Sequence, residues 1–589
     1  VINFRNNLTL QALKKLYHIF SDELKKRFKW LVVLTFISSL ADLIGLTFVI
    51  PVVGLVLDEN FYNTIVHKLP VLESFTKENL LLLTVGLFFL LIIAKNAFGL
   101  YINKMQVHFV KDLYVSSTMN VLQNVYARRL MELQKDTSNH LVSKLTNMQI
   151  GLCSNAAISC IILINEAMVF ALTAVIVCTW NWHLFLLLIG VLLPIMGYFY
   201  ASVKNRIKIA GREKNTESIQ LYARAQEMII GYVDIKISGT EHFYKERFKK
   251  IAERFGGYQK RLDFMLFIPT RIIEIAIFLC IIILLLYGVY IIKDTTEIIT
   301  TITLFSVIAY RSIPSVNRFM VAMNNLNSVE YIFKDPEFLI KNPDHERQVL
   351  PPPLRLTKSL RFENVSFRYT PQSPVVLQHC NIEIKKGEKI GIIGKSGSGK
   401  STLISNLLGF IHPTEGKIYV DDTLLTEENT IAWWQTIGYV RQEVFILQGS
   451  LRENIAIGIP LDQIDEARLQ RAIELASLSD LVKSLPEGLD TILSERGNNL
   501  SGGQKQRISI ARAIYKGAEV LVFDEATSAL DNKTEEEITQ AIQELGKEDL
   551  TIVMIAHRYT SLRFCNRIYQ LEDGSIRREL SYEELLKTI

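Results

Sequence analysis

The sequence predicts a multi-domain chain, an α-helical transmembrane half followed by a soluble α/β half. Three observations carry this. Apolar runs of about 18 residues or more recur between residues 30 and 326, each long enough to cross a bilayer as a helix. The basic residues of that half crowd the segments between the runs, as in membrane proteins. From residue 356 on, the apolar runs shrink to strand length and end in Gly-rich or acidic turns. A chain of 589 residues is in any case too long for a single compact core.

Six spans are expected, at about 30–57, 80–103, 152–180, 183–204, 264–291 and 299–326. Two of the connections are long and basic, with six Lys and Arg in residues 104–150 and fourteen in 204–261. The loop at 58–79 has only Lys68 and Lys77, against four acids. This bias places both termini and both long loops in the cytoplasm. The long loops read as helical extensions of the spans, with short lever helices expected at their tips, near 125–131 and 225–231. Spans three and four leave only Asn181–His183 for an outer turn.

Residues 1–29 alternate apolar and Lys-rich positions (Leu13, Leu16, Ile19 and Phe20 against Lys14, Lys15, Lys25 and Lys26). They are too polar for a cleaved leader and predict an interfacial helix entering the first span. Residues 30–332 then form the transmembrane domain, 333–355 a proline-marked linker and 356–589 the soluble domain. The net charge of +5, with no long basic tract, excludes a nucleic-acid binder. Six cysteines without a CxxC pair indicate buried thiols, not disulfides or a metal site.

Charges inside spans are costly and each needs a reason. Arg311 and Arg318 are seven residues apart, on one helix face, and Arg271 lies on the preceding span. A guanidinium stays charged and grips phosphate bidentately, so three arginines suit an anionic headgroup. Ion pairing is the alternative, with Glu274 one turn from Arg271. Asp42, Lys95 and Glu166 also lie in the spans.

The soluble half carries an ordered set of motifs. Strand Lys389–Ile393 runs into Gly394, Lys395, Ser396, Gly397, Ser398, Gly399, Lys400, Ser401 and Thr402. Its glycines let backbone N–H groups turn around phosphates, Lys400 reaches the β and γ phosphates, and Ser401 offers a hydroxyl to Mg²⁺. A helix from Ser401 to Phe410 aims its positive end at the anion. The apolar strand Val520–Phe523 ends in Asp524, placed for the Mg²⁺ shell, and Glu525, placed to polarise a water. Strand Thr551–Ala556 leads to His557, which can hold the γ-phosphate and the water in line. A strand is also expected at Leu360–Tyr369.

With Gln442 and Leu500-Ser501-Gly502-Gly503-Gln504, the set resembles the ATP-binding cassette (ABC) transporters, and with six spans before it a half-size exporter. The resemblance implies a type I exporter membrane domain (type IV ABC fold) and a P-loop NTPase cassette, a RecA-like core plus an α-helical subdomain. It implies ATP and Mg²⁺, adenine stacking on Tyr369, and Gln442 touching Mg²⁺ while sensing the membrane loops. Ser501, Gly502, Gly503 and Gln504 would close on a nucleotide held by a second copy, and Asp531 would link the two sites. Ser494–Gly497 resembles the segment that contacts the levers. Arg441 departs from the family, where many members have proline. Because Glu525 and LSGGQ are both unaltered, a homodimer with two working sites is expected.

Residues 309–318, 268–271 and 48–51 are similar to PglK-type lipid-linked oligosaccharide flippases. This implies ATP-driven flipping of a polyprenyl-pyrophosphate-linked glycan across a bacterial inner membrane, with its pyrophosphate on Arg271, Arg311 and Arg318. A general lipid A, peptide or drug exporter of the same architecture is the alternative, and a cassette-gated channel a more distant one.

Overall fold

The computed structural model describes residues 8–47, 76–180, 182–287, 290, 313–338, 340, 350–525, 536, 539–540, 542–543, 549–556 and 558–587. The chain divides into two units, Val1–Arg128 with Glu132–Glu346, and Arg129–Met131 with Arg347–Ile589.

The described residues of the first unit are almost all helical. Its described long helices are Leu8–Ile19, Asp22–Thr47, Lys77–Tyr126, Ile158–Trp180, Trp182–Ile230, Glu241–Tyr287 and 313–328, with short helical pieces between Tyr126 and Ile158 and between Ile230 and Glu241. Among the described residues, three helical stretches are long and apolar enough to cross a membrane: Lys77–Tyr126, Ser138–Val175 and Glu241–Ile283. Parts of the expected first and sixth spans, and most of the 58–79 loop, lie outside the described residues. Lys77–Tyr126, 50 residues long, continues far past its apolar part, as a helical extension into the first long loop should. Thr76 opens it by accepting a hydrogen bond from the Asn79 N–H. Trp182–Ile230 and Glu241–Tyr287 flank the second long loop in the same way.

The loop tips are helical, both displaced toward the carboxyl terminus. A single turn, Leu130–Leu133, caps the first loop and overlaps the expected 125–131 only at its end, because residues 125 and 126 still belong to the preceding long helix. The second tip is Tyr232–Ile237, not 225–231. Residues 225–230 still belong to the preceding long helix, and the break comes at Gly231, whose backbone leaves the helical region.

The amino-terminal helix departs from expectation. Its apolar stripe faces the protein, not a lipid surface. Ala12, Leu16 and Phe20 are buried in one core with Phe28, Phe109, Leu113 and Leu152, and Phe20 meets Phe109 edge-on at 5.4 Å. The Lys15 ammonium donates to the Phe333 carbonyl at 2.7 Å, tying the helix to the segment that leaves the unit.

The second unit holds two sheets. One is parallel except at its edge, in the order β10-β9-β3-β8-β7-β6. Its strands are β3 (Lys389–Ile393), β6 (Ile437–Val440), β7 (Val520–Asp524), β8 (Thr551–Ile555), β9 (Arg567–Glu572) and β10 (Ser575–Leu580). β7 and β8 are covered on both faces, which explains their unbroken apolar runs. The other sheet is antiparallel, in the order β2-β1-β4-β5: β1 is Ser359–Phe367, β2 Leu377–Lys385, β4 Glu415–Val420 and β5 Thr423–Leu424. β1 stops two residues before Tyr369, because the chain turns at Thr370–Ser373.

The helix Lys400–Leu407 fills the space between the sheets with Leu403, Ile404 and Leu407. Trp433, fully buried, donates its indole N–H to the Leu407 carbonyl at 2.9 Å. A separate apolar cluster joins the helices Leu451–Ile455, Glu466–Leu475 and Gly502–Lys516 into a helical subdomain on the strand core.

The ends of the expected linker are ordered. Phe333 and Phe338 are buried in the first unit. Leu354 donates its N–H to the Ala432 carbonyl in the second.

Candidate functional site

The carboxyl ends of three neighbouring strands build the site. β3, β8 and β7 lie side by side and parallel. The phosphate loop follows β3, Asp524 ends β7, and β8 stops two residues before His557. Open α/β sheets bind ligands at this edge. His557 and Asp531 themselves lie outside the described residues.

Backbone geometry dictates the glycines of the loop. Gly394 has φ 157°, and a Cβ there would sit 2.3 Å from the Leu571 carbonyl oxygen. Gly399 has φ 101°, and its Cβ would approach the Val376 carbonyl oxygen to 3.0 Å. Side chains are excluded at both positions, so the loop turns tightly against β2 and β9. Lys395, Ser396 and Gly397 are exposed at its crest. Ser398 is buried, and its hydroxyl has no hydrogen-bond partner among the described residues. Lys400 is buried as well, its ammonium donating to the Gly394 and Lys395 carbonyls at 2.9 Å each. These two bonds hold a positive charge under the crest. Ser401 is exposed in the first turn of the helix Lys400–Leu407.

Tyr369 stands beside this loop. Its hydroxyl lies 3.0 Å from the Thr402 hydroxyl, and Phe367 packs edge-on at 5.1 Å. The ring is exposed, leaving an aromatic surface next to the phosphate loop.

The Tyr439 hydroxyl donates to Asp524 at 3.0 Å. Burial pushes the Asp524 carboxyl above its usual range; the Tyr439 bond opposes this, and the neighbouring Glu525 charge adds to it. A divalent cation would relieve that strain on the charged form. Glu525 adopts φ 50° while its N–H still donates to the Ile555 carbonyl at 3.2 Å. A left-handed glutamate at a strand end is a costly conformation, held here by the sheet on one side.

Ser501 and Gln504 form a capping box at the start of the helix Gly502–Lys516. The Gln504 N–H donates to the Ser501 hydroxyl at 3.2 Å, and the Ser501 N–H donates to the Gln504 side-chain oxygen at 2.8 Å. Gly502 is exposed and Gly503 buried beside them. The motif is thus a capped helix amino-terminus, the positive end of a helix dipole.

Sequence reasoning missed Gln506. Its amide donates to the carbonyls of Arg441 at 3.1 Å and Gln442 at 3.0 Å, pinning the loop that carries Gln442 (the glutamine loop) to the helix Gly502–Lys516 (the signature helix). The signal was present: Gln506 shares a buried helix face with Ser509, Ile510 and Ala513, an odd place for an amide without a task. Arg441 contributes a backbone carbonyl to this clamp. Glu495–Gly497 forms a tight turn with Arg496 at φ 57°.

Magnesium suits the donors on offer. Ser401, Gln442 and Asp524 supply hard oxygen atoms, the set that Mg²⁺ prefers. Mg²⁺ is commonly held by one or two protein oxygens together with substrate phosphates, and these three residues would hold it in that way.

In the membrane half, Arg271 pairs with Glu274 at 3.0 Å and Arg318 with Glu166 at 2.6 Å. Arg311 lies outside the described residues. Both described arginines therefore carry a carboxylate, the ion-pair alternative that the sequence left open.

Residues 377–528 match the ABC transporter family model. An ATP-dependent lipid A-core flippase of Ralstonia nicotianae is 31% identical over 433 residues, 72% of each chain. This chain belongs to the ABC transporter family. A second ATP-dependent lipid A-core flippase, from Cupriavidus metallidurans, is 33% identical over 412 residues, 69% of this transporter and 68% of the relative. The solved structure of a bacterial Atm1-family ABC exporter with ATP bound superposes with a TM-score of 0.78, covering 96% of both chains at 20% identity. The transporter thus has the exporter fold, a helical membrane domain followed by the cassette. It is a multi-pass membrane protein that uses ATP with Mg²⁺, and hydrolysis drives export.

Proposed function

We propose that the transporter moves a phosphorylated lipid of the lipid A-core kind between the leaflets of a bacterial inner membrane. The observation that carries this is the reach of the likeness to the lipid A-core flippases. Its 433 aligned residues exceed the 234 from residue 356 to the end, so it extends well into the half that handles cargo. This favours the lipid A alternative over the polyprenyl-pyrophosphate glycan.

In this reading residues 30–332 form the membrane path and 356–589 the motor. Lys395–Thr402 wrap the nucleotide phosphates, Tyr369 stacks on adenine, and Ser401, Gln442 and Asp524 hold Mg²⁺. Glu525 orients the attacking water, with His557 beside the γ-phosphate and Asp531 between the two sites. A second copy supplies Ser501–Gln504. The second loop tip supports the homodimer: Tyr232, Val233 and Ile237 are all exposed there, an apolar surface that calls for a partner. The first tip needs none, since Arg129 pairs with Glu427 at 2.6 Å and Met131 packs on the cassette core.

The test is ATPase activity in proteoliposomes with added lipid A-core, with a polyprenyl-pyrophosphate oligosaccharide, or with neither. Stimulation by lipid A-core alone is the expected result. Stimulation by the polyprenyl glycan alone would restore the oligosaccharide reading, and stimulation by neither would overturn lipid export.

A further inference from the structure

The pair that holds Arg318 is built in an unusual way. Glu166 is fully buried, on the helix Ile158–Trp180, yet it is ionisable. Only its Oε1 accepts a bond from Arg318, through Nε at 2.6 Å. Its other oxygen is buried with no hydrogen-bond partner among the described residues. Arg318 sends Nη2 to the Ser315 hydroxyl at 3.2 Å, and its side chain remains 44% exposed. Glu166 is steadied from behind: Asn165 donates to its Oε1 at 3.4 Å and accepts from Ser39 at 3.1 Å. One polar chain thus links the helices Asp22–Thr47, Ile158–Trp180 and 313–328.

A pair serving stability alone would be built otherwise. Taking a carboxylate out of water costs several kcal/mol, and apolar side chains of the same volume pack at least as well. A strong arginine–carboxylate pair is also two-pronged, with both oxygens engaged. Here one oxygen goes unused and the guanidinium keeps an open face. A phosphate meeting that face would find a planar donor fork already oriented. It would engage two N–H groups where Glu166 engages one.

We infer that Glu166 is a positioning residue that occupies Arg318 until cargo arrives, and yields it to an anionic lipid headgroup. Glu166 thereby keeps Arg318 from ordinary membrane phospholipids and sets the threshold for cargo. Arg271 and Glu274 repeat the arrangement more openly, with 78% of the arginine side chain exposed. The inference rests on the reading of the cargo as a phosphorylated lipid.

The test compares wild type with Glu166→Gln and Glu166→Asp in proteoliposomes. ATPase stimulation is titrated with a bis-phosphorylated glycolipid and with its dephosphorylated form. Glutamine still accepts from Arg318 but carries no charge, so the fold is kept. The expected result for Glu166→Gln is a half-stimulating concentration about tenfold lower for the phosphorylated lipid. Its maximal rate, its basal rate and the titration with the dephosphorylated form stay at wild-type values, and Glu166→Asp behaves as wild type. An unchanged half-stimulating concentration in Glu166→Gln, or an equal shift with both lipids, overturns the inference while wild-type stimulation still upholds the cargo. Absence of wild-type stimulation by the phosphorylated lipid overturns the cargo reading, and this inference with it.

Discussion

Glu525→Gln will bind Mg·ATP as wild type does and hydrolyse it at least about 100-fold more slowly, the usual scale for losing a general base. Glutamine preserves the size of the side chain and the left-handed backbone that β7 and β8 impose at residue 525. Nothing in the phosphate loop changes, because Lys400 is held by the Gly394 and Lys395 carbonyls, on another strand's end. What is lost is the charge that draws a proton from the attacking water. Unable to hydrolyse, two cassettes would stay closed on their nucleotides. ATP binding by filtration, turnover by phosphate release, and dimer population by cross-linking are the measurements. Turnover within tenfold of wild type would remove Glu525 from its role.

Lys400→Met should act one step earlier. Methionine fills the same buried space but removes the ammonium, leaving two loop carbonyls without their donor. A charge-assisted hydrogen bond contributes about 1.5–3 kcal/mol, so losing even one phosphate contact weakens binding by roughly 10- to 100-fold. Mg·ATP affinity measured by equilibrium dialysis should fall by that amount, with hydrolysis lost at ordinary ATP levels. The two variants therefore separate: Glu525→Gln binds and stalls, Lys400→Met fails to bind. Wild-type affinity in Lys400→Met would refute the placement of the phosphates.

What the sequence disclosed follows the reach of each interaction. β3 was legible to the residue because an apolar run of strand length meets Gly394 there, and β7 runs one residue further, to Asp524. The helical extensions of the spans were legible as well. Periodicity could not find the second tip, since residues 225–230 continue the helical pattern and only Gly231 breaks it. The amino-terminal helix is amphipathic as its pattern predicts, but an apolar stripe does not say whether lipid or protein covers it. Here Phe109, Leu113 and Leu152 do.

Pairing shows the same limit. Glu274 was a foreseeable partner for Arg271 because it lies three residues away on one helix. Glu166 is 152 residues from Arg318, and only the packed bundle brings them together. Gln506 likewise reaches back 64 residues to the glutamine loop. Ser501 and Gln504, whose capping box is local, were legible as a unit because both lie within one five-residue motif.

The central claim is that each ATP site is shared between two copies, and mixing two dead variants tests it most directly. Lys400→Met disables the phosphate loop, and Ser501→Arg disables the signature helix. Each homodimer should be inactive. Co-expressed, a mixed dimer pairs the intact loop of one copy with the intact helix of the other, giving one whole site. About half of randomly assembled dimers are mixed, each with one working site of two, so ATPase should return to about a quarter of the wild-type rate. No recovery in isolated mixed dimers, or full activity in Ser501→Arg alone, would contradict a site completed by the second copy.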